Sequence, residues 1–312
     1  MKIYIYGSMA YDRIMGFPDQ FKNHILPESI DHLNVAFNVT SLIENFGGTA
    51  GNIAYSLALL GESPTIIAAV GRDFDRYAKW LSQNGLSQNG INTIDREFTA
   101  GAYIATDSDN NQITLFNLGA MKRRCDFALA KEGLTLAIIS PGNPDDMLHY
   151  SQVCKQLGIP FIFDPGQAIP VLSGEMIAEM IEGSFLVITN DYELELIVRK
   201  TSLSPDDIIE QTGALLTTLG ADGALIRKKG NETHIPPMAV KQAVDPTGAG
   251  DAFRSGLIKG LVQEKPIIDA AKMGTICASF CVEKEGTQTH HFTQDDFNRR
   301  LKAFEATRQS GH

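Results

Sequence analysis

The chain has 312 residues, 43% of them apolar and 21% charged, which excludes a disordered chain and allows one large α/β domain or two ordinary ones. Its 27 basic and 37 acidic side chains give a formal net charge of −10, which argues against a binder of DNA or RNA backbones. A single nucleotide stays open, because a few backbone N–H groups and Mg²⁺ can hold its phosphates locally.

In chain order, Met1-Lys2-Ile3-Tyr4-Ile5-Tyr6-Gly7 reads as a strand running into a glycine turn. It lacks the apolar core of a signal peptide, and no run of about eighteen apolar residues follows it anywhere. Residues 13–46 and 95–120 carry β-favouring runs, such as Leu33-Asn34-Val35-Ala36-Phe37 and Gln112-Ile113-Thr114-Leu115-Phe116, without a helix between neighbours. They predict antiparallel strands of a small sheet, a lid on a main body made of residues 1–12, 47–94 and 121–312. Leu81–Gly85 and Leu86–Gly90 repeat LSQNG at a predicted helix end, where both glycines suit C-cap positions.

From about residue 135 the chain alternates in the β-then-α manner. Leu136–Ile139, Phe161–Phe163, Phe185–Ile188 and Ala214–Thr218 are short apolar runs separated by polar, helix-favouring segments. That is the signature of a parallel sheet covered by helices, in which ligands bind at the carboxyl ends of the strands. The four cysteines, Cys125, Cys154, Cys277 and Cys281, form no CxxC pair. They read as buried thiols of a cytoplasmic protein.

Chemistry-bearing patterns are few. GxxxxGK[ST], HExxH and GxSxG are all absent from the sequence. Asp145-Asp146, Asp206-Asp207 and Asp295-Asp296 each follow a capping residue, and so belong to the first turns of helices. His290-His291 reads as a pair of solvated loop histidines, since adjacent side chains rarely converge on one metal. The informative string is Val244-Asp245-Pro246-Thr247-Gly248-Ala249-Gly250-Asp251-Ala252-Phe253. Gly248, Ala249 and Gly250 let the backbone approach an anion, and the helix they open points its free N–H groups at it. A carboxylate at Asp251 would repel that anion. It makes sense as the acceptor of a proton from a hydroxyl attacking phosphorus.

The string from Asp245 to Ile258 resembles the C-terminal signature of the ribokinase-like, PfkB-type sugar and nucleoside kinases. Gly47-Gly48-Thr49-Ala50-Gly51-Asn52-Ile53-Ala54, with Gly61 and Gly71 beyond it, resembles their N-terminal signature. The resemblance covers about residues 2–290. It implies a three-layer α/β fold with a mostly parallel central sheet and a small antiparallel β lid. It also implies ATP and Mg²⁺, and it assigns roles by position. Asp251 is the implied catalytic base, with Gly248, Ala249 and Gly250 as the anion hole. Asp12, Gly47, Gly48 and Asn52 are implied to hold the acceptor's hydroxyls. Asn190 and Glu193 match an NxxE element that organises Mg²⁺ and phosphate through water. Thr218, Gly220 and Gly223 match a TxGxxG turn on the ATP side; their residues alone suggest only a hairpin turn. A monovalent cation near Asp245 and Thr247 is a further implication.

Ile25-Leu26-Pro27, the run from Leu33 to Phe37, Asn45-Phe46-Gly47-Gly48 and Phe163–Gln167 look most like bacterial adenosine-kinase-like members. Phe37 and Phe116 are lid aromatics that either stack a purine or fill the lid's own core. Some relatives carry a lid arginine where this chain reads Asp109-Asn110-Asn111-Gln112, which leaves phosphate charge to Mg²⁺, the helix N-terminus and Arg254. The expected activity is phosphorylation of a hydroxymethyl group on a ribose-bearing small molecule, adenosine first. A sugar kinase of ribokinase or fructokinase type is the alternative, and a non-catalytic sensor the distant one. The expected state is a monomer or a homodimer through the lid, with no nucleic-acid or membrane partner.

Overall fold

The computed structural model describes residues 1–25, 31–32 and 34–309. The chain enters a large sheet through β1 (Lys2–Tyr6) and crosses into a small one through β2 (Ala10–Gly16) and β3 (Ser41–Gly47). It returns by α1 (Thr49–Leu59), β4 (Thr65–Gly71), α2 (Asp75–Gln83) and β5 (Ile91–Ile94). A second excursion, β6 (Ala100–Thr106) and β7 (Gln112–Asn117), completes the small sheet. The chain then alternates β8 (Thr135–Ile139), α3 (Pro144–Leu157), β9 (Phe161–Phe163), α4 (Gly174–Ile181) and β10 (Leu186–Asn190). Next come α5 (Asp191–Thr201), α6 (Pro205–Thr212), β11 (Leu215–Thr218), β12 (Ala224–Lys228) and β13 (Asn231–Ile235). Three helices, α7 (Ala249–Val262), α8 (Ile267–Cys281) and α9 (Gln294–Gln309), close the described chain.

The large sheet has the order β13-β12-β11-β10-β9-β8-β1-β4-β5. Every pairing from β11 to β5 is parallel, and β12 and β13 add an antiparallel end. Period-two alternation divides its side chains between two layers. Ile3 and Ile5 of β1 pack with α1, α2, α7, α8 and α9, while Tyr4 and Tyr6 pack with α3 to α6. Removing each such side chain from water is worth about 1.5–3 kcal/mol.

The paired acids lie where capping predicts. Asn143 accepts from the amides of Asp145 and Asp146, and Ser204 forms a capping box with Asp207. Thr293 and Asp296 bond reciprocally ahead of α9. Gly85, with φ of +70°, follows the end of α2 as expected. Gly90 does not cap a helix. A Cβ there would stand 2.2 Å from the Ile66 carbonyl oxygen, so Gly90 allows close approach to β4 instead.

The small sheet has the order β3-β2-β6-β7, with antiparallel outer pairings and a parallel pairing of β2 with β6 at its centre. The parallel pairing arises because the whole α1–β5 segment lies between those strands in sequence and brings the chain back to the same end. No strand forms over residues 34–37, and Leu33 lies outside the described residues, as do Leu26 and Pro27. Phe37 instead packs against the rings of Phe17, Phe21 and His24 at 4.9, 5.1 and 6.2 Å. Aromatic burial has overridden β propensity there. All four cysteines are free and buried, and burial pushes the thiols of Cys154 and Cys281 up to about 12. No helix among the described residues is long and apolar enough to cross a membrane.

Candidate active site

The predicted residues gather where the carboxyl ends of the parallel strands meet the small sheet. Beyond β1 the chain turns through Gly7 and Ser8. The Ser8 hydroxyl accepts from the Thr49 amide at 3.1 Å, and the Ser8 carbonyl from the Ala50 amide at 3.0 Å. This ties the start of α1 to the end of β1. Gly48 makes the contact possible: its φ is +86°, and a Cβ would stand 2.6 Å from the Ser8 carbonyl oxygen. Asp12 sits on β2 opposite Asn45 of β3 and Ala102 of β6, and Ala102 in turn pairs with Phe116 of β7. A Cβ on Gly47 would lie 2.4 Å from an Asp12 carboxylate oxygen, so glycine there leaves Asp12 its room. Burial raises the Asp12 carboxyl above its ordinary range.

Asn52, in the first turn of α1, donates through Nδ2 to Asp251 Oδ2 at 2.8 Å. Asp251 lies in the first turn of α7, whose N-cap is Gly248 at φ of +79°. The Asp245 side chain shapes the entry to this helix, accepting from the amides of Thr247 at 2.9 Å and Gly286 at 2.8 Å. The Ala249 amide turns back to the Pro246 carbonyl at 3.1 Å, so the helix's outward donors begin at Gly250. Gly250 has no positive φ. Its importance lies in space, since a Cβ there would meet Arg254 Nη1 at 3.0 Å. Burial lifts the Asp251 carboxyl to about 6, against the opposing pull of Arg254 and the Asn52 hydrogen bond.

Arg254 is not available to a phosphate in the way the sequence suggests. Its guanidinium is buried and grips the Asp164 carboxylate bidentately, while Nη1 donates to the Gly250 carbonyl at 3.0 Å. It braces the first turn of α7 against the end of β9. Asn190 and Glu193 form a capping box at the start of α5. Glu193 Oε2 accepts from the Asn190 amide at 2.8 Å, and Asn190 Oδ1 from the Glu193 amide at 2.7 Å. Burial raises the Glu193 carboxyl, with Asp164 adding to the effect and Arg254 opposing it.

On the other side of the α7 N-terminus lies a cleft of about 500 Å³, lined by Thr218, Gly220, Gly223, Ala249, Gly250 and Ala278 among others. Thr218–Gly223 is the hairpin connection of β11 to β12, and it forms one wall. The two glycine signatures, some two hundred residues apart in sequence, therefore meet at one place. Asn52 and Asp251 are its junction.

Three side chains of this site carry no local signal in the sequence. Gln288, Tyr77 and Trp80 connect to Asn52 through hydrogen bonds, with Trp80 Nε1 donating to Gln288 Oε1 at 2.9 Å. The loop that carries Gln288 also corrects a second expectation. His290 is buried, not solvated: Nε2 meets Ser56 Oγ at 3.0 Å, and its carbonyl accepts from Tyr55 at 2.8 Å. Only His291 is exposed.

A three-layer body, a small β lid and a glycine-opened helix at the strand ends define a kinase of the ribokinase-like fold. The chain belongs to the pfkB family of carbohydrate kinases, whose model matches residues 6–293. The nucleoside kinase of Methanocaldococcus jannaschii is 32% identical over 278 residues, 88% of this chain and 91% of that protein. The structure of the Burkholderia thailandensis nucleoside kinase in complex with inosine superposes with a TM-score of 0.84 at 34% identity, covering 97% of this chain and 98% of that one. A ribokinase of Haemophilus influenzae is 28% identical over 266 residues, 78% of this chain and 83% of that protein. The protein is thus an ATP-using phosphotransferase of the nucleoside kinase and ribokinase type.

Proposed function

We propose that the enzyme phosphorylates the hydroxymethyl group of a nucleoside's ribose, with adenosine as the foremost acceptor and Asp251 as the general base. One observation carries the reading. Asp251 is bonded to Asn52, and the residues just before it, Ala249 and Gly250, line an apolar cleft of nucleotide size, which supports a carboxylate placed between acceptor and donor. A base whose proton affinity is lifted to about 6 is still ionised at neutral pH and can take a hydroxyl proton as the oxygen attacks the terminal phosphorus. Asp12 and Asn52 orient the acceptor, and the outward amides at the start of α7 meet the charge that develops on the phosphoryl oxygens. Thr218, Gly220 and Gly223 hold the nucleotide from the hairpin side.

Mg²⁺ fits the donors present as an ion held mainly through water and phosphate. Among the described residues no cluster of three His, Cys, Asp or Glu side chains offers a full cage. Glu193 supplies a half-buried hard-oxygen ligand with one oxygen already committed to its capping box, which suits contact through water. When bound with ATP, the ion neutralises phosphate charge. Asp245 and Thr247 are the residues that would neighbour a monovalent cation, where partial burial pushes the Asp245 carboxyl up but the Thr247 side chain and the amides of Gly286 and Thr247 hold it below its ordinary range.

A purine is favoured over a free sugar by the small sheet. Phe116 lies in the same cross-strand row as Asp12, separated from it by Ala102, whose small side chain leaves the row open. The likeness to nucleoside kinases at 30–36% identity supports the same choice. The alternative is a ribokinase-type reaction, since Asp12 and Asn52 serve a free sugar equally well. The discriminating experiment is ATP consumption over a panel of adenosine, inosine, ribose and fructose. Turnover with nucleosides is expected; inert nucleosides with active ribose or fructose would establish the alternative.

A further inference from the structure

Trp80, Gln288 and Asn52 form a chain of hydrogen bonds that ends on the Asp251 carboxylate. Trp80 Nε1 donates to Gln288 Oε1 at 2.9 Å, Gln288 Nε2 to Asn52 Oδ1 at 3.0 Å, and Asn52 Nδ2 to Asp251 Oδ2 at 2.8 Å. A side-chain amide turned through half a rotation exchanges its donor for its acceptor with little change of shape. The indole has no such choice, because its N–H donates and cannot accept. Trp80 therefore decides which end of Gln288 faces Asn52, and Gln288 decides which end of Asn52 faces Asp251. Tyr77 reinforces the choice. Its hydroxyl donates to the Gly47 carbonyl at 2.9 Å, and so accepts from Gln288 Nε2.

Two features show that this arrangement is held in place. Gln288 is 4% exposed, and its φ of +58° is a left-handed conformation that a non-glycine residue keeps only where its surroundings hold it. Trp80, the chain's one tryptophan, stacks between Phe46 and Tyr55, with ring centroids at 5.6 and 5.8 Å and interplanar angles of 20°. The stacking keeps the indole N–H on Gln288.

We propose that Trp80 and Gln288 are positioning residues that fix the polarity of the Asn52 amide, so that an N–H and not an oxygen meets the Asp251 carboxylate. The inference rests on Asp251 being the base. An amide oxygen in that place would repel the carboxylate and hold its proton, whereas the N–H favours the ionised form that accepts one. The other groups facing Asp251 are Arg254 on its own helix, Asp164 after β9, Asp12 on β2, Tyr77 on α2 and Cys281 on α8. A change at residue 288 leaves all of these in the chain, but Gln288→Glu also adds a negative charge whose field raises the Asp251 proton affinity directly, so the neutral Trp80→Phe isolates the part that acts through Asn52.

The test compares Gln288→Glu and Trp80→Phe with the parent enzyme and with Asp251→Asn, recording kcat/KM for the acceptor against pH. A carboxylate at 288 only accepts, so Asn52 must turn its N–H towards it and its oxygen towards Asp251. The acidic limb of the profile then moves up by about one unit, which lowers the rate about twofold near pH 7 and about tenfold near pH 5, and restores it as the pH rises. Trp80→Phe keeps the stacking, removes the fixed donor and moves the same limb by less. KM for ATP stays within about twofold in both variants, a bound far inside the tenfold per 1.4 kcal/mol of lost binding. If Gln288→Glu does not fold, as read by its melting transition, Trp80→Phe decides alone. A loss of rate that is uniform across pH, or an unmoved limb beside an inactive Asp251→Asn, overturns the positioning role and spares the base. An active Asp251→Asn overturns both.

Discussion

The two sides of the α7 N-terminus are built by opposite means. The acceptor side is a side-chain construction: Asp12, Asn52, Gln288 and Tyr77 come from four segments, and hydrogen bonds fix the orientations of the last three. The nucleotide side is made from backbone, glycines and small apolar side chains around a cleft of about 500 Å³. A polar network rejects a wrong partner by leaving buried groups unpaired, which is expensive; an apolar cleft with outward amides holds a flat ring and phosphates with little discrimination. On the proposed function, acceptor choice and proton transfer belong to one side and phosphate binding to the other.

The sharpest way to break this division is Asp251→Asn. The amide keeps the size and the contact with Asn52 but takes no proton. The expected loss in kcat is about 10²–10⁴-fold, with nucleotide affinity unchanged by direct binding measurement. More than about a tenth of the parent kcat would move the base elsewhere. The matching change on the nucleotide side is Gly250→Val. Its branched side chain presses on Arg254 and crowds the first outward amide. A loss of one such donor is worth about 10²–10³ in rate. Here the rate should fall far more than the acidic limb moves, because the Asn52 contact with Asp251 is untouched and only the Arg254 side is pressed. A raised acceptor KM with normal kcat would contradict the assignment.

Asp12→Ala addresses specificity. A carboxylate accepts from two neighbouring hydroxyls, so a deoxy analogue should bind the parent enzyme worse by roughly 1–3 kcal/mol. In the variant the acceptor is already gone, and the gap between ribose and deoxyribose compounds should shrink towards nothing. Equal discrimination in both enzymes would assign the hydroxyl contact to other residues.

The same division explains what the sequence made legible. Asp245–Asp251 and Gly47–Asn52 are both contiguous; the glycines and carboxylate of the first declare a chemistry by spacing, whereas the second is readable only through its resemblance to a family signature. The parallel strands from Leu136 to Thr218 were readable because each is a short apolar run between turns. Gln288 was not. It reaches Asn52 across 236 positions and Trp80 across 208, and the segment around it reads as an ordinary polar loop. Arg254 was read as a free cation because nothing local announces Asp164, 90 positions away. Residues 34–37 looked like a strand because propensity counts side chains singly, whereas Phe37 is claimed by an aromatic cluster.

The smallest expected effect concerns stability on the acceptor side. His290 is buried beside Tyr55 and Phe292 in the loop that carries Gln288, and burial, helped by His291, lowers its ring from an ordinary 6.5 to about 4. The fold holds the neutral ring while the unfolded chain takes the proton first. Its contribution is therefore complete above the unfolded value and is lost as the pH falls from about 6.5 towards 4. Between pH 7 and 5.5 this one group should remove about 1 kcal/mol of unfolding free energy. His290→Phe keeps a ring in the pocket and leaves the Ser56 hydroxyl without its partner, a cost that is the same at both pH values and cancels in the difference. Denaturant midpoints of parent and variant at the two pH values give that difference directly. The variant should lose less stability on acidification than the parent, by about the same 1 kcal/mol. Equal losses would mean that the ring takes up its proton in place, and that the loop carrying Gln288 is open to water when acceptor and nucleotide are absent.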